Sequence, residues 1–151
     1  MNIRKAGLDD IDLLIKLRID YLSEERGLTI EETLKQNLKR YFEKYMPVNG
    51  FTAFIAEDNG NILSTAFLSI AERPPQSGTS SLVGTVYNVL TYPEFRKQGI
   101  ATKVMTALLE EAQKLNVVSV DLLATNDGKF LYEKLGFSES EKYTFMRKKL
   151  I

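Results

Sequence analysis

The chain has 151 residues, 44% hydrophobic and 26% charged, with acidic and basic side chains in balance and a formal net charge of zero. That length suits one domain with its own core, and the neutral balance argues against a general binder of nucleic acid or membrane surfaces. The chain has no cysteine and no histidine. This excludes disulfides, thiolate or imidazole metal sites, cysteine nucleophiles and histidine acid–base catalysis.

Any proton transfer therefore falls to Asp, Glu, Tyr, Lys, the backbone or water. No metal is expected. No apolar run approaches the length of a membrane span, and the opening MNIRKAGLDD lacks a signal-peptide core. A cytoplasmic protein with one domain over residues 1–151 is expected. No tandem repeat or low-complexity stretch is visible.

Ile3 to Ala6 reads as a short strand. Asp9 is placed to cap a helix beginning at Asp10, with Ile11, Leu14, Ile15, Arg18 and Leu22 along one side and Tyr21 close to it. Gly27 breaks that helix. Thr29 with Glu32 has capping-box spacing for a second helix, whose apolar stripe is Ile30, Leu34, Leu38, Tyr41, Phe42 and Tyr45. Pro47 and Gly50 end it. Phe51 to Ala56 and Ile62 to Ile70 are strands joined through Asn59-Gly60, a hairpin signal because both residues tolerate positive φ. Arg73 to Gly78 is a loop, since Pro74 and Pro75 cannot join a central ladder.

Leu82 to Leu90 is the third long strand. It leads through Pro93 into a basic corner, Arg96-Lys97-Gln98-Gly99-Ile100-Ala101, and then an amphipathic helix. In that helix Ala101, Val104, Met105, Leu108, Ala112 and Leu115 share one face, while Thr102, Lys103, Thr106, Glu110, Glu111 and Lys114 take the other. Val117 to Ala124 is a nearly continuous apolar run. It suggests a buried strand parallel to Leu82–Leu90, because strand–helix–strand units make parallel pairs. Asn126-Asp127-Gly128 caps a short helix from about Lys129 to Leu135, and Gly136 stops it. Phe137 and Tyr143 to Leu150 read as closing strands. The total is an α/β or α+β architecture, a mixed sheet with helices on both faces.

The basic corner is unusual. Helix starts favour Asp or Glu, because the helix dipole is positive there. This one begins with Arg96 and Lys97 and has no acid in its first turn. Cations beside unbonded N–H groups make electrostatic sense around an anion, and Gly99 would let a ligand approach the backbone closely. A plain strand-to-helix turn with solvated charges is the other reading. The Gly-x-x-x-x-Gly-Lys of a P-loop is absent, and Gly99 stands alone, which excludes a Rossmann fingerprint. Downstream, Tyr132-Glu133-Lys134-Leu135-Gly136-Phe137 sets an aromatic on the short helix; beside Leu131 and Leu135, Tyr132 also reads as a core aromatic.

Together the two segments resemble the signatures of the GCN5-related N-acetyltransferase (GNAT) superfamily. The corner is similar to its Arg/Gln-x-x-Gly-x-Gly/Ala loop and the second segment to its Tyr-x-x-x-Gly-Phe. The likeness covers Leu82 to Leu150; the first half matches by element order alone. It implies a mostly antiparallel mixed sheet with a central splayed parallel pair, Leu82–Leu90 and Val117–Ala124. It also implies acetyl-CoA as co-substrate, with its diphosphate held at Arg96, Lys97, Gln98, Gly99, Ile100, Ala101 and Thr102. Asn126 would touch the coenzyme arm, N–H groups near Val89 or Leu90 would stabilise charge on the acyl oxygen, and Tyr132 would be the general acid for the thiolate.

In that family the first two helices flank the acceptor, which directs attention to Arg18, Tyr21, Tyr41 and Tyr45, and to Asn88 on the strand. Such residues are more often core-edge packing than substrate contacts. No general base stands out among Glu57, Glu72 and a water held near Asn88. The implied activity is acetyl transfer to a primary amine of a small molecule or peptide, through a ternary complex. The alternative is a CoA-binding sensor or interaction module without turnover. Neither nucleic acid nor membrane is an expected partner, and a homodimer stays open.

Overall fold

The computed structural model describes residues 1–27 and 31–151. Five strands form one sheet in the order β1-β2-β3-β4-β5: β1 Asn2–Lys5, β2 Phe51–Asp58, β3 Asn61–Glu72, β4 Leu82–Thr91 and β5 Ser119–Asp121. The first three pairings are antiparallel and β4–β5 is parallel. The expected mixed, mostly antiparallel sheet is therefore present. Helices α1, Ile11–Arg26, and α2, Glu32–Tyr45, cover one face; α3, Ile100–Lys114, covers the other, and α4, Lys129–Lys134, packs beside it.

Two apolar clusters hold these layers. On the α1–α2 face, Leu14, Leu17 and Phe42 meet Phe51, Ala53, Ile55 and Phe67 of the sheet. Phe42, Phe51 and Phe67 stack there with ring centroids 4.9–6.0 Å apart. On the α3 face, Val104, Met105 and Leu108 close over Ala66, Leu68 and Val86. Each fully buried Leu or Phe contributes roughly 1.5–3 kcal/mol relative to exposure. Alternation along β3 sends Phe67 to one cluster and Leu68 to the other, so β3 is the floor of both.

Local chemistry explains most boundaries. Asn59 and Gly60 both adopt positive φ, 48° and 79°, the requirement of a two-residue primed turn. Gly27 ends α1 in the left-handed region, its N–H reaching the carbonyls of Leu22 and Ser23. The start of α1 differs from expectation. A 3-10 turn, Leu8–Asp10, precedes it, and Asp10 is the residue at the cap position, with no side-chain cap bond. The Asp10 carboxylate is used elsewhere. It accepts both ends of the Arg4 guanidinium at 2.8 and 2.9 Å and the Gly7 N–H at 2.7 Å. The Thr29–Glu32 pair and Ile30 involve residues outside those described; α2 itself is present.

The last third departs most from expectation. The run Val117–Ala124 contributes only Ser119–Asp121 as strand, and Val120 is half-buried between two exposed neighbours. It is an edge segment with one wet side, and its apolar neighbours pack as irregular chain: Leu122 against the α3 cluster, with Leu123 exposed. The closing strands at Phe137 and Tyr143–Leu150 do not form; the segment is irregular and exposed from Ser138 onward. Its aromatics are satisfied locally instead, Lys142 lying over Tyr143 and Arg147 over Phe145. No helix among the described residues is long and apolar enough to cross a membrane.

The Arg4 bridge holds the Asp10 carboxyl below the usual carboxylate range, with the Gly7 N–H helping. Its stabilisation is therefore complete above the unfolded titration and is lost as pH falls through the lowered folded value. Asp10→Asn should cost about 1–3 kcal/mol at pH 7. In urea melts across pH, that deficit should shrink as acid protonates the wild-type group; a pH-independent deficit would contradict the bridge.

Candidate active site

The site starts from a fault in β4. Thr65 pairs with Leu90 and Phe67 with Tyr87, so Asn88 and Val89 together stand opposite Ala66. Two residues against one is a β-bulge, which bends the strand and re-aims side chains. Asn88 absorbs the bend with φ of +56°, a region where Asn is among the few tolerated residues. Tyr87 and Asn88 thereby turn toward the same face. Tyr87 comes within electrostatic reach of Tyr41 on α2, and Asn88 anchors to α1. Val89 packs on the opposite, α3 side.

Asn88 is 1% exposed. Its Nδ2 donates to the Leu17 carbonyl at 3.3 Å, and its Oδ1 accepts from Arg18 Nη1 at 3.4 Å. The Arg18 guanidinium lies 5.7 Å from the Tyr21 ring centroid. Tyr41 and Tyr45 pack with centroids 4.9 Å apart. Burial pushes the Tyr41 phenol up, its phenolic neighbours Tyr87 and Tyr45 add to this, and the charge of Arg18 opposes it. The structure thus brings Arg18, Tyr21, Tyr41 and Asn88 together around the bulge.

The outer edge of β4 beside it is uncovered among the described residues. β4 and β5 pair only at Val83–Ser119, Gly84–Val120 and Thr85–Asp121. Beyond Thr85, β4 runs on to Thr91 while the other chain leaves the sheet. Among the described residues no strand covers that edge of β4, which leaves it able to take hydrogen bonds from an extended ligand. Gly84 lets the joint pack closely. A Cβ there would meet Leu68 at 2.8 Å and Val120 at 3.3 Å.

At the end of β4, a 3-10 turn, Pro93–Phe95, leads into the corner. Lys97 and Gly99 take φ of +60° and +74°. Among the described residues, nothing caps α3 by a side chain, and no acid lies in its first turn; the ladder begins with Lys103 N–H to the Gly99 carbonyl. The N–H groups of Gly99, Ile100, Ala101 and Thr102 therefore gather at a positive helix end with exposed Lys97 and Lys103 nearby. A Cβ on Gly99 would meet nothing within 4 Å, so the space in front of it is open. This donor set fits a diphosphate. Arg96 is turned the other way. Its Nε donates to the Thr91 carbonyl at 2.8 Å and its Nη2 to Glu24 at 2.6 Å, which ties the corner to α1. Gln98 Nε2 reaches back to the Glu94 carbonyl at 3.4 Å.

Tyr132 is half-buried on α4, edge-on to Phe137 at 6.0 Å, and packs against the same α3 cluster as Val89 and Leu122. Asn126 is exposed in the loop before it. The N-cap of α4 is Gly128, within the expected Asn126–Gly128 stretch and without a side-chain cap bond; in the turn before it, Thr125 Oγ1 and carbonyl accept from the Gly128 N–H at 3.2 and 3.1 Å. The carboxylate candidates lie away from the bulge. Glu57 is on β2, bonded to Arg4. Glu72 stands opposite Leu82, six residues along β4 from Asn88, or roughly 20 Å at strand rise.

Sequence reading missed Glu24, Tyr87 and a cluster under the corner. Tyr92 O–H donates to Asp20 Oδ2 at 2.5 Å, and Lys16 donates to the same oxygen at 2.6 Å. Burial first, then the Asp20 carboxylate, pushes the Tyr92 phenol up to about 12. The i,i+4 spacing of Lys16 and Asp20 was a visible signal; Tyr92 offered none.

A family model described as acetyltransferase (GNAT) domain matches residues 49–139. An uncharacterized N-acetyltransferase of Archaeoglobus fulgidus is 31% identical over 122 residues, 77% of this chain and 76% of the relative. The crystal structure of a predicted acetyltransferase from Clostridium acetobutylicum with acetyl-CoA is 31% identical and superposes with a TM-score of 0.83, covering 97% of this chain and 95% of that one. Glucosamine-6-phosphate N-acetyltransferase from Arabidopsis thaliana, 21% identical with a TM-score of 0.75 over 99% of this chain and 98% of that one, shares the fold.

The bulge generates a paired test. Asn88→Ala loses both side-chain bonds and puts a residue that tolerates the left-handed region less readily than Asn at φ of +56°, for a loss of about 2–4 kcal/mol. Asn88→Gly loses the bonds but suits the backbone, and should lose about 1–2 kcal/mol. Equal losses in denaturant titrations would remove the conformational part of the account.

Proposed function

The chain belongs to the GNAT family of acetyltransferases, and we propose that it acetylates a primary amine of a small molecule or peptide, with both substrates bound at once. The observation that carries this reading is the run of unbonded amides around Gly99, at the end of a strand whose outer edge is uncovered. Acetyl-CoA supplies the activated acyl group.

The chain's own residues then have distinct tasks. The amides of Gly99 to Thr102, with Lys97, hold the diphosphate, where backbone dipoles and cations favour negative charge. Gln98 shapes the loop through Glu94, and Arg96 positions it by bonding Thr91 and Glu24. The open edge of β4 takes the arm, with Asn126 at its far side. Val89 and Leu90 present N–H groups toward charge that develops on the acyl oxygen; a preorganised donor of this kind is worth about 3–4 kcal/mol. Tyr132 gives a proton to the departing sulfur, since a phenol and an alkyl thiol have similar acidity. Arg18, Tyr21, Tyr41 and Asn88 form the acceptor wall. Much of the rate comes from holding the two reactants together. The domain works as a single unit over residues 1–151, in the cytoplasm.

A ligand that binds only the folded state raises its stability. In a thermal-shift panel, acetyl-CoA and CoA should raise the melting temperature and ATP or NAD should do so much less; equal responses would remove the case for a specific site. Gly99→Glu, which adds bulk and negative charge at the cradle, should abolish the CoA response.

Turnover followed by free-thiol release should fall in Tyr132→Phe by roughly ten- to a thousandfold in kcat with little change in the acetyl-CoA KM. An unchanged kcat would remove the proton from Tyr132.

A further inference from the structure

Uncovered apolar surface is concentrated at one end of the sheet. Of the twelve large apolar side chains exposed among the described residues, eight lie in Val118–Ile151. We propose that this surface is an interface between two copies of the chain, in which the segment Tyr143–Leu150 of each copy lies along the open edge of β5 in the other. The proposal stands independently of the acetyl-transfer reading.

The receiving side is β5. It ends the strand order, so one of its edges has no ladder partner among the described residues. It is only three residues long, and a strand that short gains most from a second ladder. The same strand borders a groove of about 300 Å3, lined among others by Leu109 and Ala112 of α3, Val118 and Val120 at β5, and Leu135 and Phe137 after α4. No charged side chain lines it.

The entering side is the chain's own. Tyr143, Thr144 and Phe145 are strand formers, and in an extended chain Tyr143 and Phe145 point to one face. Both are exposed, as are Met146 and Leu150. Among the described residues, no backbone hydrogen bond ties Ser138–Ile151 to the body. The Tyr143 N–H reaches Ser140 Oγ, within the segment, and the Lys129–Glu139 ion pair holds only its start.

Symmetry selects a second copy as the occupant. Groove and segment belong to one sequence, so two copies can exchange them about a two-fold axis, each giving and receiving once, and the assembly closes. Arg147, Lys148 and Lys149 are three adjacent cations, and charges of this kind discourage edge-to-edge stacking beyond the pair. Each exchanged segment buries two aromatic rings, at about 150–250 Å2 apiece. With the groove walls covered in return, the two segments reach the roughly 1,000 Å2 that a specific interface needs.

The test uses the full chain. Light scattering over a concentration series should give twice the 17.2 kDa chain mass. Phe145→Glu, at a side chain exposed in the single chain, should weaken the dimer by roughly ten- to a hundredfold, while circular dichroism shows an intact fold. The chain has no cysteine, so engineered thiols report pairing without competition. Ser119→Cys chains mixed with Thr144→Cys or Phe145→Cys chains and then oxidised should form mixed covalent dimers. A bridge within one chain of the Ser119→Cys, Phe145→Cys double variant would mean that the segment folds back on its own β5, and would overturn the exchange. So would a monomer at every concentration, a dimer that Phe145→Glu leaves unchanged, or an absence of mixed covalent dimers.

Discussion

Asn88, Lys97 and Gly99 hold φ of 56°, 60° and 74° within one short stretch, and the remaining features of the site follow from that handedness. A strand that stayed regular through Asn88 would keep its alternation and its ladder with β3. The turn at Asn88 instead offsets Val89 from the pairing and swings an amide side chain onto α1. The turns at Lys97 and Gly99 gather the first amides of α3 in place of an ordinary acidic cap. One segment thus defines both ends of the proposed acyl-transfer site. Only one of the three positions is glycine, so Asn88 and Lys97 hold the shape at a conformational cost that their surroundings must offset.

α1 is the element that binds these ends together. Its Leu17 carbonyl receives Asn88, its Arg18 faces the tyrosines, its Asp20 holds Tyr92, and its Glu24 holds Arg96. Surface ion pairs are individually weak, so the Glu24–Arg96 contact orients more than it stabilises. The buried Asn88 contacts are of another kind, because an amide withdrawn from water must find partners. The apolar side of α1 supplies the adhesion, through Leu14 and Leu17, and its polar side supplies the alignment.

Sequence reading recovered what local rules determine. Asn59-Gly60 announced its hairpin because few residues accept that backbone, and the spacing of Val104, Met105 and Leu108 announced the buried face of α3. The corner at Arg96–Ala101 stood out as the proposed anion site because its charges oppose the usual helix start. What stayed hidden depended on distant partners. No local pattern says that Arg96 would turn back to Glu24, or that Asp10 would be claimed by Arg4 rather than cap its own helix. Val117–Ala124 has the composition of a buried strand, yet the divergence from β4 leaves only Ser119–Asp121 in the ladder. The Tyr143–Leu150 run has strand-forming residues, but its cations stack on its own rings and it lies outside the sheet. Tyr87 and Asn88 sharing a face could not be foreseen from alternation, since the bulge is what breaks it.

The junction of β4 with β5 is short, and everything after it, including Tyr132, is attached to the body by half-buried contacts; α4 has no fully buried residue. Local opening free energies scale with buried apolar contact, so this part of the chain is expected to exchange its amide hydrogens soonest and the three antiparallel ladders last. A ligand held at the proposed site between β4 and this segment would add contacts the segment lacks and slow that exchange.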